Sequence, residues 1–148
     1  MTTQTPDSTR RSALTTMYRL VVIWTTLGLV GGVFYREFTK AQGFHGHTQL
    51  SVLHTHLLAL GTLLGLIVLL LERSFRLSAT AQWRPFLVTY VAGLLVTTTM
   101  MVVKGVLQVL ESTNADSPAL AGLAGLGHIL LTLALVFLLM ALGKRLHD

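Results

Sequence analysis

The chain has 148 residues, of which 52% are hydrophobic and only 11% are charged. A soluble domain carries about 25% charged residues, so this composition indicates an integral membrane protein with a single domain. The sequence has no cysteine, which excludes disulfides, thiolate metal sites, cysteine nucleophiles and c-type haem attachment. The net charge of +5 does not indicate nucleic-acid binding, because the basic residues lie at the ends of apolar segments, where membrane topology explains them.

Four apolar segments are each long enough to cross a bilayer, which takes about 20 helical residues. In chain order, these segments cover about residues 17–35, 50–71, 85–110 and 119–142. Their apolar runs are continuous, which is typical of membrane helices and differs from the alternating pattern of barrel strands. Because the connections are short, the sequence predicts an all-α fold, an up-down bundle of four transmembrane helices within residues 17–142.

The positions of lysine and arginine predict the orientation of these helices. Eight basic residues lie on one side of the bundle: Arg10, Arg11, Arg19, Arg73, Arg76, Arg84, Lys144 and Arg145. Two lie on the other side, Arg36 and Lys40. The positive-inside rule therefore predicts that both termini are cytoplasmic, with a polar tail over residues 1–16 and a basic tail over residues 143–148. We expect residues 1–12 to be disordered.

Histidines crowd the start of the second segment. The stretch "FHGHTQLSVLHTHLLALG" holds four of the six in the chain: His45, His47, His54 and His56. At the rise of a helix, His54 lies about 10 Å inside the outer surface, and His128 of the fourth helix lies about 15 Å inside it. Lys104 of the third helix lies about 10 Å from the same surface. Ionisable groups at such depths usually face the bundle interior, so these helices predict a polar site in its outer half.

The two deep histidines of the second helix cannot both face the bundle axis, because residues two apart point about 200° from each other. His54 shares its face with Gly61 and Gly65, and small residues mark close helix packing. We therefore predict that His54 faces the interior. His56 shares its face with Leu60 and is predicted to face lipid or another subunit.

The third and fourth helices each carry a stripe that we expect to face the interior. In the fourth helix, small and polar residues lie along one side: Ala121, Ala124, Gly125, His128 and Thr132. In the third helix, a polar stripe repeats every seven residues and has two methionines beside it: Tyr90, Thr97, Lys104, Glu111, Met100 and Met101.

These positions predict a b-type haem site that serves electron transfer or haem and gas sensing. A haem with two imidazole ligands needs two neutral histidines facing each other across an apolar slot. His54 and His128 are the predicted ligands, because the second and fourth helices are diagonal neighbours in an up-down bundle. If His56 faces the axis instead, it replaces His54. Thr55 or Thr132 would orient an imidazole. The alternative is that these histidines only hydrogen-bond neighbouring helices.

Supporting residues are predicted at the outer mouth of the bundle. A basic side chain there, Arg36, Lys40 or Lys104, would pair with the haem propionates. Arg36 and Glu37 follow Tyr35 at the end of the first helix, and they would pair with each other or with groups on the third helix.

Two other functions stay open. His45 and His47 form an H-x-H pair at the outer mouth that suits copper or zinc. Met100 and Met101 would add soft ligands for Cu(I). The second alternative is that the chain is a non-catalytic accessory subunit of a membrane complex, or forms a homo-oligomer in the lipid bilayer. It lacks a nucleotide loop, an H-E-x-x-H motif and a serine elbow, which leaves open whether it is an enzyme.

Three stretches carry a resemblance to a known family. They are "GGVFYREFTKAQGFHGHTQLSVLHTHLLALG", the "LLLERSF" that ends the second segment, and "LAGLAGLGHILLT". Together they resemble small bacterial four-helix membrane proteins that are catalogued as a domain of unknown function. The resemblance covers about residues 18–142. It implies a four-span fold in a bacterial plasma membrane and supplies no activity.

The histidine-bearing second helix is also similar to ligand-bearing helices of the haem-copper oxidase and nitric-oxide-response membrane protein superfamily. That similarity implies that His54 or His56, together with His128, holds haem or metal. The chain lacks the long array of helices and the copper histidines of the oxidases. Simple haem binding or electron transfer is therefore expected, and oxygen or nitric oxide reduction is not.

Overall fold

The structure, a computed structural model, describes residues 6–147. It has four long helices: α1 over Pro6–Ala41, α2 over Leu50–Phe75, α3 over Trp83–Val109 and α4 over Pro118–His147. Short 3₁₀ turns lie in the last two connections, at Leu77–Ala79 and Thr113–Asp116. The described residues contain no strand, and all four helices are long and apolar enough to cross a membrane. The predicted all-α, four-span fold is confirmed.

The helices extend beyond the predicted spans. Residues 6–12 form the first turns of α1, so the prediction that they are disordered is wrong, whereas residues 1–5 lie outside the described part of the chain. At the other terminus, residues 143–147 continue α4. Hydropathy marks only the part of a helix that lies in lipid, and a polar helix continues until a turn or cap interrupts its backbone hydrogen bonds.

Two helical hairpins form the bundle, with α1 packed chiefly on α2 and α3 packed chiefly on α4. Arginine side chains join three helix ends. Arg10 donates to the carbonyl oxygen of Arg73, and Nε of Arg145 donates to the carbonyl oxygen of Phe75 over 2.9 Å. The start of α1 and the ends of α2 and α4 therefore lie together, at what we call the basic end. The opposite end, with the loop of residues 42–49, is the histidine end.

The second helix is irregular directly after His56, where Leu57–Leu63 forms a π-helix. Such segments are rare, and they occur frequently at functional sites because they change the direction of the side chains around them. The hydroxyl of Tyr90 on α3 donates to the carbonyl oxygens of Leu60, at 2.8 Å, and Gly61, at 3.1 Å. A buried side chain of α3 therefore binds the backbone of α2 where its winding changes.

Close approaches at glycine hold α2 and α4 against α3 near the histidine end. A Cβ at Gly105 would lie 2.7 Å from the backbone nitrogen of Leu50, and a Cβ at Gly127 would lie 2.9 Å from that of Thr97. Oγ1 of Thr48 also donates to the carbonyl oxygen of Gly105 over 2.9 Å. These contacts hold the start of α2 and the first half of α4 against α3, at positions about two turns apart along α3.

Candidate functional site

A cavity of about 240 Å³ lies between α2, α3 and α4 in the half of the bundle nearer the histidine end. Two imidazoles, two thioethers and one ammonium group line it, from His56, His128, Met100, Met101 and Lys104. The two histidines come from different helices, and the two methionines are adjacent on α3. The cavity therefore combines metal-ligating groups with a positive charge.

The two imidazoles have the same local geometry. Nδ1 of His56 lies 2.9 Å from the carbonyl oxygen of Val52, and Nδ1 of His128 lies 2.9 Å from that of Ala124. A carbonyl oxygen can only accept, so Nδ1 carries a proton in each ring, and in the neutral ring the lone pair is then on Nε2. No described residue hydrogen-bonds either Nε2. This neutral tautomer, oriented through its second nitrogen, is the form in which histidine binds a metal.

The structure places His54 on the face of α2 that packs against α1, whereas His128 lines the cavity between α2, α3 and α4. The Cβ of His54 packs 3.6 Å from where a Cβ of Gly32 would lie on α1. Gly61 and Gly65 also face α1, against Trp24 and Val21. The small residues beside His54 mark a close helix contact, as expected, but that contact is with α1. His56, predicted to face lipid or another subunit, lines the cavity instead.

Of the two predicted threonines, Thr55 bonds an imidazole and Thr132 does not. Oγ1 of Thr132 donates to the backbone carbonyl of His128 over 2.9 Å. Oγ1 of Thr55 makes a long hydrogen bond of 3.4 Å with Nε2 of His54. Nδ1 of His54 is buried and has no hydrogen-bond partner. The rings of His56 and His128 are instead oriented by the backbone carbonyls of Val52 and Ala124, which lie one turn earlier in the same helix.

Of the predicted supporting residues, Lys104 lines the cavity and those from α1 do not. Nζ of Lys104 lies 3.7 Å from a carboxylate oxygen of Asp116, whose side chain is 92% exposed. Arg36 and Glu37 pair with each other at 3.7 Å on the exposed surface, directly after Tyr35. Exposed pairs of this kind contribute little, so Lys104 stays available to a ligand.

The predicted outer metal site remains untested. His45 lines a separate cavity of about 450 Å³ together with Glu111, and His47 is exposed. Within residues 6–147, no group of three or more histidine, aspartate or glutamate side chains is placed to hold a metal ion. The pair His45 and His47 therefore offers at most two imidazoles to copper or zinc.

Two polar residues complete the cavity. Oγ1 of Thr97, a member of the predicted stripe, lines it and is buried without a hydrogen-bond partner. Gln49, which was not among the predicted site residues, lies at the mouth, and its backbone nitrogen donates to Oε1 of Gln108 over 2.8 Å. Its position seven residues before His56 places both on one helix face, and this spacing could have identified it.

A family model matches residues 14–145, which is most of the chain. Its description is "Protein of unknown function (DUF2871)". No curated protein and no solved structure matches the sequence. The family match confirms the predicted resemblance to a family of unknown function.

Proposed function

The chain belongs to the DUF2871 family, and we propose that it binds one b-type haem through Nε2 of His56 and His128 and serves electron transfer. The observation that carries this proposal is the matched pair of imidazoles. Both rings line one cavity, and both have Nδ1 bonded to a backbone carbonyl at 2.9 Å. Two histidines on different helices with free Nε2 atoms are the protein ligands of a haem that is held by two imidazoles.

The ligand set favours haem over a bare metal ion. A porphyrin supplies four ligands to iron, so two histidines complete its coordination, whereas a structural zinc site needs four protein ligands. The described residues offer no third histidine or carboxylate for such a site. Lys104 also lines the cavity, and its positive charge repels a bare cation but attracts a haem propionate.

The cavity is smaller than the macrocycle that it would hold. Ligand pockets usually enclose about 300–1,000 Å³, and this one encloses about 240 Å³. The small side chains of Ala121 and Ala124 line the α4 side, His128 is exposed, and α4 is the least buried of the four spans. The imidazoles therefore suit haem iron as donor types, whereas a macrocycle exceeds the volume that the cavity encloses.

When bound, such a haem supplies reversible one-electron transfer at its iron. The residues of the chain hold and tune it. His56 and His128 would bind the iron, the carbonyl oxygens of Val52 and Ala124 would keep both rings in the ligating tautomer, and the buried hydroxyl of Thr97 would donate to a bound polar group. Lys104 balances the charge of a propionate. The eight basic residues on one side support a bacterial plasma-membrane protein with cytoplasmic termini.

Copper is the second candidate, because two thioethers line the same cavity. Met100 and Met101 are adjacent on α3, and both contribute to its wall beside the two imidazoles. Thioether and imidazole ligands together select Cu(I) among the common metal ions. Under this alternative Lys104 would oppose binding, which is why haem is the first proposal.

The optical spectrum of the purified protein tests the proposal. The protein would be expressed with ample haem, purified in mild detergent and measured oxidised and dithionite-reduced, with metal analysis of the same sample. We expect a Soret band with sharp reduced α and β bands and about one haem per chain. Copper without haem would support the second candidate. A colourless, metal-free sample would contradict both and favour an accessory subunit.

A further inference from the structure

A second cavity lies at the basic end, between the start of α1 and the end of α2. It encloses about 340 Å³, and its wall is formed by Arg10, Arg11, Leu14 and Arg73. Three of these four residues carry a guanidinium group. Like charges that lie this close repel each other, and the repulsion falls when an anion lies between them.

The described side chains supply no such anion. None of the three arginines forms an ion pair with a described carboxylate. The carboxylate nearest in sequence, Glu72, is fully buried and accepts from the backbone nitrogen of Ser78 at 2.7 Å and from its hydroxyl at 2.5 Å. Arg10 donates to the carbonyl of Arg73, but its Nε is buried without a hydrogen-bond partner.

We propose that this cavity binds the phosphate of an anionic phospholipid. Arginine is suited to phosphate because its planar fork can donate two parallel hydrogen bonds to two phosphate oxygens. Basic pockets between transmembrane helices on the cytoplasmic side are known sites for anionic headgroups. The buried, unpartnered Nε of Arg10 and the exposed guanidinium of Arg11 supply donors on one wall, and Arg73 supplies charge on the other.

The order of residues along α1 favours a lipid over free phosphate. Leu14 lies one turn further toward the membrane than Arg10 and Arg11, and Tyr18 follows one turn later with 61% of its surface exposed. Tyrosine at this depth is typical of the interface between lipid and water. The wall is therefore charged on the side of the headgroups and apolar on the side of the acyl chains, which matches an amphiphile.

Native mass spectrometry of the full-length protein in detergent tests this site, with phosphatidylglycerol, phosphatidylcholine and inorganic phosphate as probes. We expect Arg11→Gln to weaken phosphatidylglycerol binding about fivefold, as expected for one arginine near a membrane surface, and Arg10→Gln to weaken it at least as much. Arg84→Gln removes the same charge from an exposed position outside the cavity and is the matched control. Since Arg10 also bonds α2, Arg11→Gln decides the result if Arg10→Gln lowers the melting temperature.

Three outcomes separate the possibilities. Selective loss of phosphatidylglycerol in the Arg10 and Arg11 variants, with Arg84→Gln unchanged, supports the proposal. An equal loss in all three variants, or no loss in any, overturns it, because attraction would then come from the surface as a whole. Binding of inorganic phosphate at the arginines without preference for phosphatidylglycerol overturns the lipid source and leaves a site for free phosphate.

Discussion

Replacement of His56 or His128 by alanine is expected to lower the affinity for haemin more than about 100-fold, because each variant removes a proposed ligand of the iron. Loss of a residue that only hydrogen-bonds a metal ligand already lowers metal affinity by up to about 100-fold. Haemin would be titrated into the detergent-solubilised apoprotein and followed through the Soret band. Both variants should lose the low-spin spectrum of a haem with two imidazole ligands. Their melting temperatures without haemin should stay close to that of the wild type.

His54→Ala is the matched control for this pair. It removes an imidazole of the same kind two residues away, from a side chain that packs on α1 near Gly32 and whose buried Nδ1 makes no hydrogen bond. We expect its haemin affinity to equal that of the wild type. If His54→Ala lost the low-spin spectrum and His56→Ala kept it, His54 would be the ligand and the assignment of His56 would be wrong.

The second large effect is expected at Gly127. In Gly127→Ala the new Cβ would lie 2.9 Å from the backbone nitrogen of Thr97 and 3.1 Å from its Cα. Backbone atoms cannot move aside by a rotamer change, so α3 and α4 must separate, at a cost of about 1–3 kcal/mol in unfolding free energy. Chemical or thermal unfolding in detergent measures the loss. Haemin affinity should fall as well, because Thr97 and His128 line the cavity on either side of this contact.

Gly125→Ala provides the comparison on the same helix. Nothing lies within 4 Å of a Cβ at this position, and alanine favours a helix over glycine by up to about 1 kcal/mol. We expect this variant to be as stable as the wild type or slightly more so. Equal destabilisation by the two substitutions would show that helix propensity, and not the approach of α4 to α3, decides their effect.

Hydropathy predicts most of this fold because lipid leaves the backbone few choices. A chain in hydrocarbon must satisfy its own hydrogen bonds, so long apolar runs become helices wherever they occur. The ends of the helices follow other rules. Residues 6–12 are polar yet helical, and the left-handed conformation of Arg76, with φ of 54°, ends α2.

The site was predicted in part. The stripe of α3 predicted Thr97 and Lys104, which line the cavity, because depth and helical spacing are enough to bring such residues to one level. The stripe of α4 predicted His128, which also lines the cavity, but the expectation that the whole stripe faces the interior is wrong. Four of its five residues are exposed, and the buried face of α4 carries other residues: Gly127, Ala134, Leu138 and Ala141. Spacing could not decide between His54 and His56. Small residues show that a face is closely packed but not which helix packs there, and α1 occupies the face that we expected to be interior.

The π-helix could not be predicted from the local sequence. Leu57–Leu63 reads as an ordinary apolar stretch with one glycine, and its winding coincides with a contact from another helix. Tyr90 is 30 residues away in the chain, and its hydroxyl reaches two carbonyl oxygens of this segment. Long-range hydrogen bonds of this kind depend on the packing of α3 against α2, which helical periodicity alone does not give.

The most direct test of the proposed haem site is the reduction potential of the haem in His56→Met, compared with that in His54→Met. Exchange of one imidazole ligand for a thioether raises the potential of a haem iron. If Nε2 of His56 binds the iron, His56→Met should have a higher potential and an altered visible spectrum, and His54→Met should match the wild type. An unchanged potential and spectrum in His56→Met would contradict the assignment of His56 as a ligand.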